Sequence, residues 1–405
     1  MHPGRFFTDA ALRFIHRSHG VQHGDHDTDR LPSAISSNRW GTLWPRHAWM
    51  DAGLLTSGYH DPDRRPVSGG GLGASGPRGA DGRHVGPIGG RNPDGSPRFD
   101  QAVPPGGYLW WYVDALSDDG QFGLTIIAFV GSVFSPYYHW AFQKNKAADP
   151  ENHCCINVAL YGRGVRRWTM TERSRASMER DSRHFRVGPS QLRWTGSHLE
   201  IDLHEWSAPI PKAVHGTIKV FPDQLFHFVT ALDDGALHHW GPIAPSARVE
   251  VRLERPHLSW KGHAYLDSNE GVEPTIDRFT EWDWSRANLS DGSVAVLYDI
   301  RQKSGAERLL ALKFNRDQSV ESFPAPPRQA LPKALWRVGR SIRTEPGTPA
   351  RVLQTLEDTP FYVRSVLESG LLGETVVSMH ETLNIPRLDT ASTRLMLPWK
   401  MPRVR

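Results

Sequence analysis

The chain has 405 residues, of which 38% are hydrophobic and 23% charged, and its mean hydropathy is −0.49. It contains no run of about 18 apolar residues, which excludes a membrane protein that crosses the bilayer with apolar helices. The formal net charge is +4 and the isoelectric point about 9.1. This excess is too small for a nucleic-acid-binding protein, so we predict no nucleic-acid partner, but it suits weak attraction to an anionic membrane surface.

Residues 1–97 differ in composition from the rest of the chain. They are rich in His, Asp, Arg, Gly and Pro without hydrophobic periodicity, which predicts a disordered N-terminal segment. The glycines of residues 71–76 match a dinucleotide-binding pattern, but no strand precedes them and Pro77 follows, so the match is compositional. The N-terminus lacks the apolar core of a signal peptide, which predicts an intracellular protein.

From Phe99 onward the sequence is typical of strands separated by turns. Residues 197–206 and 247–254 alternate apolar and polar side chains, and Asp-Gly pairs mark several turns. Such a pattern predicts antiparallel barrels or sandwiches. The ordered part, roughly 300 residues, is large for one small barrel. We therefore predict a mainly β fold with two barrels, over 98–246 and 247–405, that meet near Pro245.

One helix is predicted near the C-terminus, over residues 358–371. Asp358 or Thr359 can cap its first turn, and Gly370 or Gly373 can end it. The second barrel is thus expected to carry a short C-terminal helix.

Two short segments place an ionisable group and an aromatic ring two residues apart. On a strand, His238 and Trp240 share one face, as do Tyr265 and Asp267, while His239 points to the other side. A carboxyl group among aromatic rings is poorly solvated when charged, so its pKa rises and it can act as a general acid. Alternatively, Asp267 opens a turn through residues 268–271, and the histidine is an ordinary packed residue.

Other side chains are candidates for contact with an apolar ligand, although each can equally fill a core. They are Trp110, Tyr112, Trp282 and Trp284. The adjacent Cys154 and Cys155 fit neither a disulfide framework nor a zinc site, and adjacent strand residues point apart, so no catalytic cysteine is predicted. No phosphate-binding loop, serine nucleophile motif or metal-ligand spacing is visible, which favours a reaction without a metal or other cofactor.

Several blocks of the sequence strongly resemble hydroxyneurosporene synthase, the carotenoid 1,2-hydratase family. They include PPGGYLWWYVDALSDDG (104–120), LTIIAFVGSVFSPYYHWA (124–141), NHCCINVALYG (152–162), HHWGP (238–242), YLDSNEG (265–271) and the Trp-Asp-Trp of 282–284. The resemblance runs from about residue 97 to the end of the chain, and it gives no counterpart for the residues before it.

The resemblance implies a fold of tandem lipocalin-like β-barrels and a reaction. The reaction is the cofactor-independent hydration of the terminal C1=C2 double bond of an acyclic carotene, such as neurosporene or lycopene, to a tertiary alcohol. The implied catalytic residues are His238, Trp240, Tyr265 and Asp267, with Asp267 as the acid and His238 as the base for water. The substrate implies a cytoplasmic protein held peripherally on the inner or intracytoplasmic membrane.

Two other functions fit the same scaffold. One is a lipocalin-like protein that binds a carotenoid or lipid without catalysis. The other is an isomerase or pericyclase that uses the acid without adding water.

Overall fold

The protein, described by a computed structural model over residues 90–404, is built mainly from antiparallel β-strands, as predicted. The glycine pattern of residues 71–76 and most of the segment predicted to be disordered lie outside the described residues. Residues 90–97, which belong to that segment, form a turn closed by a bridge between Arg91 and Pro97. Residues 90–97 are therefore structured, contrary to the prediction.

The first sheet has twelve strands, in the spatial order β4-β3-β2-β1-β13-β12-β10-β9-β8-β7-β6, with β11 beside β12. These strands are β1 (Tyr108–Ser117), β2 (Gly123–Val130), β3 (Cys155–Tyr161), β4 (Arg167–Thr169), β6 (Met178–Arg180), β7 (His184–Val187), β8 (Ser190–Trp194), β9 (Leu199–Trp206), β10 (Ala213–Pro222), β11 (Thr230–Ala231), β12 (His238–Arg255) and β13 (Leu258–Gly271).

The second sheet has seven strands, in the order β17-β16-β15-β14-β22-β21-β20. They are β14 (Phe279–Asn288), β15 (Val294–Gln302), β16 (Glu307–Phe314), β17 (Val320–Ser322), β20 (Arg351–Asp358), β21 (Tyr362–Leu371) and β22 (Glu374–Asn384). Two small pairs complete the described β-structure: β18 (Arg328–Ala330) with β19 (Ser341–Arg343), and β5 (Glu172–Arg173) in parallel with β23 (Arg403–Val404).

Four α-helices lie within residues 90–404: α1 (Pro136–Asn145), α2 (Thr275–Arg278), α3 (Ile385–Leu388) and α4 (Ala391–Lys400); short 3₁₀ turns span Pro150–Asn152 and Arg175–Ser177. The Ser135 hydroxyl accepts a hydrogen bond from the Tyr138 amide at 2.9 Å and caps α1, which begins at Pro136. Thr390 caps α4 in the same way. None of the helices in this part of the chain is long and apolar enough to cross a lipid bilayer.

The helix predicted over residues 358–371 is wrong, because this segment ends β20 and forms β21. Strand β21 pairs with β20 on one side and β22 on the other, and nearly all its side chains are buried. A strand that is buried on both faces loses the two-residue alternation, so periodicity alone does not separate it from a buried helix. The helix near the C-terminus is α4, some twenty residues later.

The boundary predicted between 246 and 247 falls inside the eighteen-residue strand β12. Pro245 suggested a break, but the strand absorbs it at register shifts between Pro242 and Ala244 and between Ala244 and Ala247. The chain passes from the first sheet to the second only after Gly271, before Phe279.

Alternate residues of β1 contribute to two different cores. Leu109, Trp111 and Val113 belong to a core enclosed by the first sheet, while Trp110 and Tyr112 face the second sheet. The core between the sheets holds most of the candidate side chains: Trp110, Tyr112, Trp240, Tyr265, Trp282 and Trp284. The candidate site therefore lies between the two sheets.

Candidate active site

Asp267 lies in the interior of β13 and is only 3% exposed. Its backbone pairs with Tyr112 on one side and Pro242 on the other, so the residue does not open a turn. The Oδ2 atom accepts hydrogen bonds from Trp240 Nε1 at 2.8 Å and from the Tyr265 hydroxyl at 2.9 Å. The structure thus brings together three of the four side chains expected to form the catalytic set.

Burial raises the pKa of the Asp267 carboxyl group to about 8. The hydrogen bonds from Trp240 and Tyr265 oppose this rise, and the nearby charge of Glu381 adds to it. The carboxyl group is accordingly protonated at neutral pH. Its second oxygen, Oδ1, is buried and accepts no hydrogen bond from the described residues. A proton on Oδ1 has no acceptor in the described part of the chain and is available to a substrate.

Aromatic rings from both sheets surround this carboxyl group. The ring centroids of Tyr265 and Trp284 are 5.3 Å apart, and those of Trp240 and Tyr298 are 5.6 Å apart. The ring of Trp282 also belongs to this aromatic cluster, and its centroid is 6.3 Å from that of Tyr298. These π faces attract a cation, so the surroundings suit an acid whose product is a carbocation.

Trp110 and Tyr112 occupy the same inter-sheet core from β1. Trp110 stacks on Tyr108 with centroids 4.8 Å apart, at a position further along the sheet from Asp267. The Tyr112 hydroxyl donates to Glu381 Oε1 at 2.6 Å across the gap between the sheets. Tyr112 therefore links the two sheets beside the site.

His238 is completely buried and lies on the same side of β12 as Trp240. Its register partner is Gly271, whereas Asp267 pairs with Pro242, so the two residues are offset by four positions, or about 13 Å along the strands. Its Nδ1 atom is 2.9 Å from the Tyr108 hydroxyl, and Nε2 is 3.5 Å from Glu273. The structure therefore does not bring His238 to the carboxyl group. The sequence argument could not show this, because residues that share a face can still lie far apart along the strands.

His239 points to the opposite side, where its Nδ1 atom lies 4.0 Å from Glu270. Of the two histidines, only His238 therefore lies in the inter-sheet core, although neither is brought to the carboxyl group.

Asn269 is a site residue that the sequence reasoning missed. It follows Asp267 by two residues on the same face of β13. Its backbone is in register with Trp110 on one side and Trp240 on the other. Its Oδ1 atom is buried and has no hydrogen-bond partner among the described residues. The same two-residue rule that joined Tyr265 to Asp267 would have included it, but residues 268–271 were interpreted as a turn.

Arg91 is a second residue that was missed. It is 5% exposed, donates from Nε to the Phe226 carbonyl oxygen at 3.0 Å, and has charge interactions with Asp267 and Glu270. Burial lowers the pKa of this guanidinium to about 10. No sequence signal pointed to Arg91, since it stands in the segment predicted to be disordered.

Cys154 and Cys155 are both buried and free. Burial raises the pKa of the Cys154 thiol to about 12, and that of Cys155 well above its usual value. A thiol that stays protonated is a poor nucleophile. No cluster of three or more His, Cys, Asp or Glu side chains suited to holding a metal ion occurs within residues 90–404.

A depression of about 390 Å³, counted with its open mouth, lies at the end of the inter-sheet core. Tyr108, which hydrogen-bonds His238, forms part of its wall together with Phe142 of α1, Ile276 of α2 and Arg394 of α4. The depression thus reaches the histidine end of the site.

Fold and site together define an antiparallel β-protein that holds a protonated carboxyl group among aromatic rings between two sheets. Comparison with known proteins gives the family. The family model described as carotenoid hydratase CrtC matches residues 126–405. The chain belongs to this family, and the family predicted from the sequence is confirmed.

Curated relatives named acyclic carotenoid 1,2-hydratase match most of the chain. The protein of Rubrivivax gelatinosus is 54% identical over 396 residues, 98% of each chain, and that of Thiocapsa roseopersicina is 50% identical over 94% of this chain and 93% of its own. The relative from Cereibacter sphaeroides is 37% identical over 69% of this chain and 98% of its own. The N-terminal residues therefore do have a counterpart, in the longer relatives.

A solved structure described as AttH, from Nitrosomonas europaea, has a similar fold. It covers 71% of this chain and 94% of its own, with a TM-score of 0.52 and 17% identity. At that identity the similarity concerns the fold alone.

Proposed function

We propose that the protein adds water across the terminal C1=C2 double bond of acyclic carotenes, such as neurosporene and lycopene, without a cofactor. The observation that carries this proposal is the buried Asp267 carboxyl group, whose pKa is about 8 and whose Oδ1 atom has no partner in the described protein. Protonation of an unactivated alkene needs an acid in apolar surroundings, and this is the arrangement found. Relatives named acyclic carotenoid 1,2-hydratase support the same reaction.

The first step is transfer of the Asp267 proton to C2 of the alkene. The π electrons form the new C2–H bond, and the positive charge remains on C1 because that carbon carries two methyl groups. The rings of Trp240 and Tyr265 stabilise the cation by about 2 kcal/mol each, as cation–π contacts do when water is excluded.

The second step is attack of water on C1. The water oxygen forms the C1–O bond, and one water proton passes to the Asp267 carboxylate, which becomes an acid again. One water is added and no electrons are exchanged. Asn269 is placed to hold this water, since its free Oδ1 lies two residues from Asp267 on the same face. In this proposal Asn269 and the Asp267 carboxylate take the role that was expected of His238, which was to hold and deprotonate the water. His238 lies about 13 Å from Asp267 along the strands.

The proposed acid sets the direction of the pH dependence. Because Asp267 acts in its protonated form, the hydration rate should be constant below its pKa of about 8 and fall roughly tenfold per pH unit above it. Initial rates on detergent-dispersed lycopene between about pH 6 and about pH 9.5 measure this. Circular dichroism at each pH serves as the control for unfolding. A rate that instead rises through pH 8 would assign Asp267 the role of a base.

Incubation of purified protein with lycopene in ¹⁸O-labelled water separates the proposal from its rivals. Hydration gives a tertiary alcohol carrying one labelled oxygen. An unlabelled isomer would favour an isomerase, and unchanged bound pigment would favour a binding protein.

The same assay tests Asn269. In Asn269→Ala the cation still forms but water is poorly held, so loss of a proton competes with hydration. We expect roughly tenfold less labelled alcohol and more unlabelled isomer. Asn288→Ala, at an exposed position at the end of β14, is the control and should behave like the parent. Equal product ratios in both variants would remove Asn269 from the mechanism.

The substrate class also bears on location. A C40 polyene dissolves in bilayers and hardly in water, so the enzyme must meet a membrane surface. We place it on the cytoplasmic side of the inner or intracytoplasmic membrane, peripherally attached.

A further inference from the structure

Exposed apolar side chains are concentrated at the helical end of the described structure. Leu395, Met396 and Trp399 of α4 are 64%, 43% and 70% exposed, and Trp140 of α1 is 41% exposed. Positions 395, 396 and 399 lie on one side of α4, and α4 packs against α1. We call these four residues the helical patch. Large apolar side chains exposed together in this way mark a docking surface.

The loop that carries Leu335 and Trp336 lies next to this region. These residues are 85% and 44% exposed, and the Trp336 carbonyl oxygen accepts a hydrogen bond at 3.1 Å from Arg387 of α3. Helix α3 contacts α4. The apolar surface thus continues beyond the helical patch.

Basic side chains outnumber carboxylates around the helical patch, although Glu172 is paired with Arg403 and Asp277 acts on His139 of α1. Residues 136–146 and 385–404 contain six basic side chains and a single carboxylate, Asp389; the basic ones are Lys144, Lys146, Arg387, Arg394, Lys400 and Arg403. Asp389 is paired with Arg394 and lies 3.9 Å from His139. An apolar centre within a basic surround matches the interface of an anionic bilayer, where Trp rings sit at the headgroup level.

Arg394 gives a second, independent indication. It is 4% exposed and lines the depression between the helices, yet its Nε and Nη1 atoms have no hydrogen-bond partner in the described structure. Two buried guanidinium donors without an acceptor are costly unless an anion meets them. A lipid headgroup phosphate at the depression would accept from both.

From these features we propose that the helical patch docks on an anionic lipid bilayer, with Arg394 binding a headgroup phosphate. The proposal rests on the proposed function, because it specifies where an enzyme acting on a membrane-dissolved polyene meets its substrate. Docking in this orientation places the depression, whose wall includes Tyr108, against the lipid.

The test compares the full-length parent with Leu395→Ser/Trp399→Ser by co-sedimentation with vesicles of phosphatidylcholine alone or mixed with phosphatidylglycerol. The parent should bind the mixed vesicles, less so as salt rises, and the double variant should bind at least roughly tenfold more weakly. Trp206→Ser, which removes a 56% exposed Trp from β9, is the matched control and should bind like the parent. Arg394→Gln should weaken binding to the mixed vesicles more than to phosphatidylcholine alone.

Lycopene turnover distinguishes failure of docking from failure of the proposed function. The double variant should lose activity on lycopene in mixed vesicles and keep it on lycopene dispersed in detergent. If it binds and turns over vesicle-borne lycopene like the parent, the docking proposal is overturned while the function stands. If the parent binds vesicles but hydrates lycopene in neither form, the function fails. A dimer in solution that the double variant abolishes, without any binding to vesicles, would make the patch a protein interface and overturn docking.

Discussion

Replacement of Asp267 by Asn should abolish carotene hydration and at the same time stabilise the protein at neutral pH. The loss of activity should be at least roughly a thousandfold, since general acid catalysis contributes about 10²–10⁴ and no other group in the site offers a proton to the alkene. Lycopene binding, followed by the shift of its absorption spectrum, should persist. Turnover in ¹⁸O-labelled water and equilibrium unfolding in urea measure the two effects.

The stabilisation follows from the direction of the pKa shift. Folding raises the Asp267 pKa from 3.8 to about 8, so the folded state binds an extra proton between these values and stability falls as pH rises across them. At pH 7 the free energy of unfolding of the parent is about 4 kcal/mol lower than at pH values below the pKa of Asp267 in the unfolded chain. Asn carries no such proton, so Asp267→Asn should lack this part of the pH dependence. A variant with the same pH dependence of unfolding as the parent would contradict the raised pKa.

The second large effect concerns the ion pair between Asp114 of β1 and Arg286 of β14. Both side chains are buried, and Arg286 Nε donates to Asp114 Oδ1 at 3.0 Å from one sheet to the other. Arg286→Met leaves the carboxylate buried without its counter-ion, which should cost about 3–5 kcal/mol of the free energy of unfolding. Urea unfolding at neutral pH measures this cost.

Two variants control the interpretation. Asp114→Leu/Arg286→Met removes both charges and should recover most of the lost stability, as apolar replacement of a whole buried pair commonly does. Arg248→Met breaks the exposed pair with Asp118 and should change stability by no more than about 1 kcal/mol. A double variant as unstable as Arg286→Met would show that shape rather than charge holds the sheets together here.

Strand-face reasoning predicted which side chains share a face, because the two-residue period of a strand is a strong constraint, but it left Asp267 open between an acid and the start of a turn. It placed Trp240, Tyr265 and Asp267 on one side, where hydrogen bonds now join them. The mainly antiparallel β fold was predicted for the same reason. The position of His238 could not be, since its distance from Asp267 depends on the register between β12 and β13, which faces do not reveal.

The remaining errors have tertiary causes. Strand β21 lies between two other strands and is buried on both sides, so its residues carry no alternation to distinguish them from a helix. The register shifts in β12 accommodate a proline within the strand. The sequence analysis took this proline as a domain boundary, although the strand continues through it. Arg91 reaches the site from a stretch whose composition is typical of disorder, and composition does not reveal the bridge to Pro97 or the hydrogen bond to the distant Phe226 carbonyl oxygen that hold it.

The tryptophans of the core between the sheets give the protein an intrinsic fluorescence signal for ligand binding. Trp110, Trp240, Trp282 and Trp284 are all buried there, in the neighbourhood of the carboxyl group or along the same core. A conjugated polyene is an efficient acceptor of indole excitation at such short range. Binding of the carotene should therefore quench the tryptophan fluorescence of the protein. Binding can thus be followed in real time without any added dye.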